Sequence, residues 1–332
     1  MTQHRHFCTY FDHRYLPAGL ALHASLHRVC PAFTLWVLAL DEAAADWLER
    51  HGPPGIEIVR LTELEAADPE LAAVRPTRSL VEYYFTCSPC LPSFLLRAKG
   101  LEAITYLDAD LWFFSSPEPL FAELGSDSVA IVPHRFTSAS ARTHARHGHY
   151  NVGWLTFRAT GDGLACLAWW RARCIEWCHD RVEGDRYADQ KYLDRFALLF
   201  NGVHAIDHPG ANLAPWNVAG HGVALAADGV RVDGRPLVFF HYQGLKAVSP
   251  SRYDTNLAGY GAHLTPALRD GVFAPYIAEL RACEWRARHA RPVGAGAGLR
   301  RAGLPAWRRL AARGWRTLRS WWSGDVMRVG AG

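Results

Sequence analysis

Apolar positions along the chain fall into short dense blocks separated by amphipathic stretches, a pattern that predicts a layered α/β fold. Phe7–Phe11, Thr34–Leu40 and Ile56–Leu61 have the aromatic, aliphatic and β-branched make-up of buried strands. Between them, Leu16–Arg28 repeats Leu20, Leu22 and Leu26 among small residues, and Asp41–His51 suits a helix capped by Asp41. Val81–Ala98 predicts one or two helices, followed by a strand that ends near Asp108. Further on, Ser128–Val132 and Val152–Phe157 read as strands and Leu164–Val182 as a helix. Strands alternating with helices build a mostly parallel sheet. His134–His149 is rich in Arg and His and has no apolar period, so it reads as a long loop, the kind that serves as a lid or binding segment. Gly294–Gly298 reads as a flexible linker. The expected organisation is one α/β domain over 1–284, a linker over 285–298 and a basic amphipathic tail over 299–332.

Composition is that of an ordinary globular protein: 332 residues, 49% hydrophobic and 20% charged. No apolar run reaches the roughly 18 residues that span a bilayer, and the first residues lead into a strand without a signal-like apolar stretch, so a cytoplasmic protein is expected. Eight cysteines at irregular spacing in such a chain predict free thiols. Cys87-Ser-Pro-Cys90, with Cys174, Cys178 and His179, has redox or zinc-like spacing, but buried helix thiols account for it as well. Net charge is +4, unevenly spread. Residues 285–332 carry eleven arginines against Asp325 alone, a net +10, which leaves −6 on the rest. In the tail, Leu304, Trp307, Leu310, Ala311, Leu318 and Trp322 recur at helical spacing among arginines, the make-up of a helix lying on an anionic membrane surface. A nucleic-acid partner is not expected.

The chemistry concentrates where Ile104-Thr-Tyr-Leu runs into Asp108-Ala-Asp110. Two carboxylates at the carboxyl end of a buried strand, where open α/β sheets bind ligands, can share a divalent metal that neutralises a diphosphate. His241, in Phe239-Phe-His-Tyr-Gln-Gly244-Leu-Lys246, supplies an imidazole that a borderline ion such as manganese accepts among oxygen ligands. Lys246 is one of only three lysines among 36 basic residues, and an ammonium beside a glycine suits a phosphate. Thr9-Tyr10-Phe11-Asp12 stands at the end of the first strand, where a base could stack and Asp12 could bind it or cap a helix. Tyr150-Asn151-Val-Gly153 permits close backbone approach. Asp189-Gln190 and Asn212-Leu-Ala-Pro-Trp216-Asn217 complete the set. No dinucleotide fingerprint and no Walker loop occurs.

In this order the segments resemble the retaining nucleotide-sugar glycosyltransferases of family 8, from about Phe7 to Lys246. The resemblance implies a GT-A fold, a Rossmann-like mixed sheet flanked by helices, and transfer of a hexose from a nucleotide-diphosphate sugar, a UDP-sugar above all, to a cell-envelope glycan or glycolipid with retention of configuration. It implies Mn2+ (or Mg2+) on Asp108, Asp110 and His241, with the donor held by Thr9, Tyr10, Asp12, Asp108, Gly244 and Lys246. Asn151, Asp189 and Gln190 would face the sugar and acceptor as the catalytic group. The family's donor-facing arginine has no counterpart on the helix before Asp108, where Thr86, Cys87 and Ser88 stand, and Arg78 is expected to substitute. Two alternatives remain. A haloacid-dehalogenase-type phosphohydrolase would use Asp108-x-Asp110 with Asp185 and Asp189, although no lysine lies between them. A catalytically degenerate sugar-nucleotide-binding protein on the inner face of the cytoplasmic membrane would keep the same site.

Overall fold

Strand β1 (Arg5–Phe11) sends alternate side chains to opposite faces, as a pleated strand must. Phe7 and Phe11 enter one core, while Cys8 and Tyr10 face the other. This computed structural model describes residues 3–138, 143, 146–290 and 325–329. Helix α1 (Leu16–Val29), β2 (Phe33–Ala39), α2 (Glu42–His51) and β3 (Ile56–Arg60) follow within a residue or two of their predicted bounds. Asp41 caps α2 as predicted, accepting from the Ala44 N–H at 2.8 Å. Two short helices, α3 (Leu61–Ala67) and α4 (Pro69–Val74), lead to α5 (Leu80–Ala98), a single helix despite Pro89 and Pro92 inside it.

The site-bearing half begins with β4 (Ala103–Leu107) and β5 (Leu111–Phe113), then α6 (Glu118–Leu124), β6 (Val129–Pro133), β7 (Tyr150–Arg158) and α7 (Gly161–Glu176). A small hairpin, β8 (Val182–Glu183) and β9 (Arg186–Tyr187), precedes β10 (Val203–Ala205). Then come β11 (Val223–Ala226), β12 (Gly229–Val232), β13 (Arg235–Pro236), β14 (Phe239–His241), β15 (Lys246–Ser249), β16 (Arg252–Asp254), α8 (Ala274–His289) and β17 (Val326–Arg328). The central sheet has the order β10-β6-β7-β4-β1-β2-β3, with β7 alone antiparallel to its neighbours. One core lies under α1 and α8, the other under α5 and α7.

Four expectations are corrected. Helix α7 stops at Glu176 rather than Val182, because Trp177 turns extended (φ −153°, ψ 119°) and buries its side chain, while Arg78 Nη2 donates to the Ile175 carbonyl at 3.0 Å. In the 134–149 segment, Thr143, Arg146 and His147 are helical rather than loop; residues 139–142 and 144–145 lie outside the described residues. The stretch read as linker from 285 continues α8 to His289, supported by the Glu284–Arg288 pair and by Trp285 stacked on His289 at 4.4 Å. The rest of the linker and most of the tail, 291–324, lie outside the described residues, but the chain returns as β17, which pairs with β16 beside β15. All eight cysteines are free and buried. Among the described residues no helix is long and apolar enough to cross a membrane.

Candidate functional site

Asp108 and Asp110 occupy the tight turn that joins β4 to β5, held by Asp108 N–H donating to the Gly153 carbonyl at 3.2 Å and Leu111 N–H donating to the Asp108 carbonyl at 3.3 Å. Antiparallel pairing of β5 with β14 sets Leu111 opposite His241, and the Tyr242 N–H donates to the Asp110 carbonyl at 2.9 Å. That register brings the imidazole to the two acids. His241 Nε2 lies 3.1 Å from Asp110 Oδ1 and 3.6 Å from Asp108 Oδ2. One ligand atom from each residue falls within 4.8 Å of the others. Ligands about 2.2 Å from a common ion stand about 3 Å apart when adjacent and about 4.5 Å when opposed, so the donor atoms fit a hard or borderline divalent cation.

Neighbours fix this cluster. Tyr106, on the same face of β4 as Asp108, donates its hydroxyl to Asp108 Oδ1 at 2.9 Å. Trp216 packs edge-on against His241 with ring centroids 5.0 Å apart, its indole N–H bonded to the His134 carbonyl. Asn212 and Asn217, predicted with Trp216, hold backbone groups of Pro133 and His134 and so build the wall rather than enter the site. Between Ile131–Leu155 and Val132–Asn151 the β6–β7 register shifts, a bulge that turns Asn151 toward His241. Gly153 belongs to this bulge because a Cβ there would sit 2.6 Å from Asn151 Oδ1 and 2.9 Å from His241 Nδ1.

Burial raises the Asp108 carboxyl above its ordinary range; Asp110 reinforces that and His241 opposes it. For His241, burial disfavours the imidazolium but the two carboxylates outweigh it, and its pKa is raised. Asp189, only 4% exposed, is pushed up to about 7, chiefly by burial and further by Asp108, against a hydrogen bond from Ser88.

The cluster stands between two cavities. The first, about 200 Å³, is lined by Tyr10, Asp108, Asn151, Asp189, Gln190 and Trp216 among others. The second, about 250 Å³, is lined by Arg14, Tyr15, Asp110, Gly244 and Lys246. Gly244 adopts φ +79°, the left-handed turn that lets the chain swing from Tyr242 to Lys246. Three predicted residues are not brought here. Thr9 is wholly buried and lines neither cavity. Asp12 accepts from the N–H groups of Arg14 and Tyr15 and from the Arg14 guanidinium, which pins the turn between β1 and α1. Arg78 binds the Ile175 carbonyl and His179 at the end of α7. Tyr106, Ser88 and Arg14 escaped the sequence reading. Tyr106 was legible as the residue two before Asp108 on one strand face, whereas Ser88 and Arg14 reach the site only through tertiary packing. Asp185, which a phosphohydrolase would need, is 79% exposed in the β8–β9 turn and pairs with Arg195. That alternative is not favoured.

No family model matches the sequence. The chain is 30% identical over 279 residues to the uncharacterized protein YfnD of Bacillus subtilis (strain 168), covering 83% of this chain and 88% of that one. It is 31% identical over 252 residues to the uncharacterized protein YfnF of the same organism, covering 73% and 82%. Among solved structures, an active-site mutant of LgtC matches with a TM-score of 0.50 at 16% identity, over 85% of this chain and 99% of its own. That likeness shows the fold: a mostly parallel GT-A sheet flanked by helices.

Proposed function

The chain belongs to the same family as YfnD and YfnF of Bacillus subtilis, and from that membership, the GT-A fold and the Asp108–Asp110–His241 cluster we propose a metal-dependent glycosyltransferase. In this reading it moves a hexose from a nucleotide-diphosphate sugar, a UDP-sugar by preference, to a cell-envelope glycan or glycolipid with retention of configuration. The observation that carries it is the convergence of two carboxylates and one imidazole, from β4–β5 and β14, between two cavities. The first cavity takes the sugar and the second the diphosphate.

A divalent ion, Mn2+ or Mg2+, held by Asp108, Asp110 and His241 would supply positive charge against the departing diphosphate, a contribution of several kcal/mol in a water-poor site. Lys246 adds an ammonium on the Asp110 side, directed by the Gly244 turn. Tyr106 keeps Asp108 aimed by donating to the oxygen that does not face His241. On the sugar side, Asp189 offers the anomeric centre a carboxylate against developing positive charge. Gln190 is less suited, since its Oε1 already accepts from Asn151 at 3.1 Å. The seven arginines between Arg300 and Arg319, each contributing up to about 1 kcal/mol at an anionic leaflet, would hold the enzyme on the inner face of the membrane, near a lipid-linked acceptor.

A thermal-shift screen of nucleoside diphosphates and their sugars, with and without Mn2+, tests the reading. A ligand at a hundred times its Kd stabilises by about 2.7 kcal/mol. A Mn2+-dependent shift with one base, lost in Asp110→Asn and in His241→Ala, is the expected result; shifts that persist in both variants would reject the metal assignment.

A further inference from the structure

Asn151 faces the first cavity, yet its amide has every hydrogen-bonding capacity engaged within the protein. Its Oδ1 accepts the Gly153 N–H at 3.0 Å and meets His241 Nδ1 at 3.2 Å. Its Nδ2 donates to Gln190 Oε1 at 3.1 Å and reaches His134 Nε2 at 3.4 Å. Two acceptor sites and two donors are all an asparagine side chain owns.

Hydrogen-bond polarity then dictates the rest. A backbone N–H can only donate, so the Asn151 atom facing Gly153 is the oxygen. An amide oxygen can only accept, so His241 Nδ1 carries a hydrogen. Nε2 is the other ring nitrogen and the atom facing Asp108 and Asp110, so its lone pair is the one a metal shared with those carboxylates would take. The other end is fixed likewise: Gln190 Nε2 donates to the His147 carbonyl at 2.9 Å, and a carbonyl can only accept. Donors therefore point one way along the series His241, Asn151, Gln190, His147, with backbone groups pinning both amides.

We propose that Asn151 is a positioning residue for the metal ligand His241, holding its Nδ1–H tautomer and ring plane, rather than a sugar contact. The proposal rests on the metal reading above. A metal-bound histidine commonly donates its second N–H to a fixed acceptor, and losing that acceptor weakens metal affinity about 10- to 100-fold. The side-chain amide of Asn151 fills that role here, and the β6–β7 bulge delivers it.

The test is titration of the full chain with Mn2+ alone, free ion followed by electron paramagnetic resonance, for the wild type, Asn151→Ala and Asn151→Asp, with thermal melts confirming folded protein. Asn151→Ala should weaken Mn2+ binding about 10- to 100-fold, and Asn151→Asp, which keeps an acceptor for Nδ1–H, should restore most of it. Ala binding as tightly as wild type, or Asp losing as much as Ala, overturns the proposal while leaving the metal site standing. A wild type that binds no Mn2+ overturns the metal reading and this proposal with it.

Discussion

Asp189 lies almost wholly buried against the first cavity with its carboxyl pushed up from 3.8 to about 7, burial being the main cause. Between pH 4 and 7 the folded chain therefore holds a proton that the unfolded chain has released. With fewer protons bound in the unfolded state, stability falls as pH rises through this window, by up to about 4 kcal/mol in all. In metal-free protein, Asp189→Asn should flatten that decline: calorimetric melting at pH 5 and pH 8 would differ less in the variant than in the wild type. An unchanged difference would mean that Asp189 is ionised throughout. At this scale Asp108, Asp110, His241 and Lys246 were legible because rare chemistry stood at strand ends. Asp12 shows where such reading stops. An acid after a strand looks the same in sequence whether it binds a ligand or, as here, caps a turn, and only the positions of the Arg14 and Tyr15 N–H groups decide between them.

Among the elements, the β6–β7 bulge does most to shape the site, since it delivers Asn151 to His241 and places Gly153 where no side chain fits. Gly153→Ala should push the His241 ring off its ligand position. The expected cost is at least about tenfold in Mn2+ affinity and about 1–3 kcal/mol in stability, read by titration and by urea unfolding. Mn2+ affinity equal to wild type would show that the ring has room to spare. β1 to β4 were readable because each is a dense apolar run of five to seven residues that shows its period. β5, which pairs with β14 to assemble the cluster, has three residues, too few to display alternation. The end of α7 was missed for a related reason: Cys178 and Val182 continue an apolar spacing, but the buried Trp177 and the Arg78 bond to Ile175 end the helix first.

Across the whole molecule the decisive asymmetry is electrostatic: net +10 after residue 284 and −6 before it. The chain does not simply trail away, because β17 returns to pair with β16, and β16 pairs with the strand that begins at Lys246. Replacing residues 299–322 with a Gly/Ser linker while keeping β17 should leave melting unchanged and remove sedimentation with phosphatidylglycerol vesicles. Undiminished sedimentation would place membrane binding elsewhere. The α/β class followed from alternation of strands and helices, whereas the return of the C-terminal strand could not, since Val326-Met-Arg328 is a three-residue run with no pattern of its own.

As proposed, Asp108, Asp110 and His241 hold one divalent ion. Anomalous diffraction at the manganese edge, from crystals soaked in Mn2+ and UDP, would locate that ion. A single strong peak in contact with both carboxylates and His241 Nε2, with the diphosphate running toward Lys246, is the predicted result; a peak elsewhere, or density for UDP without a metal between these three residues, would contradict it.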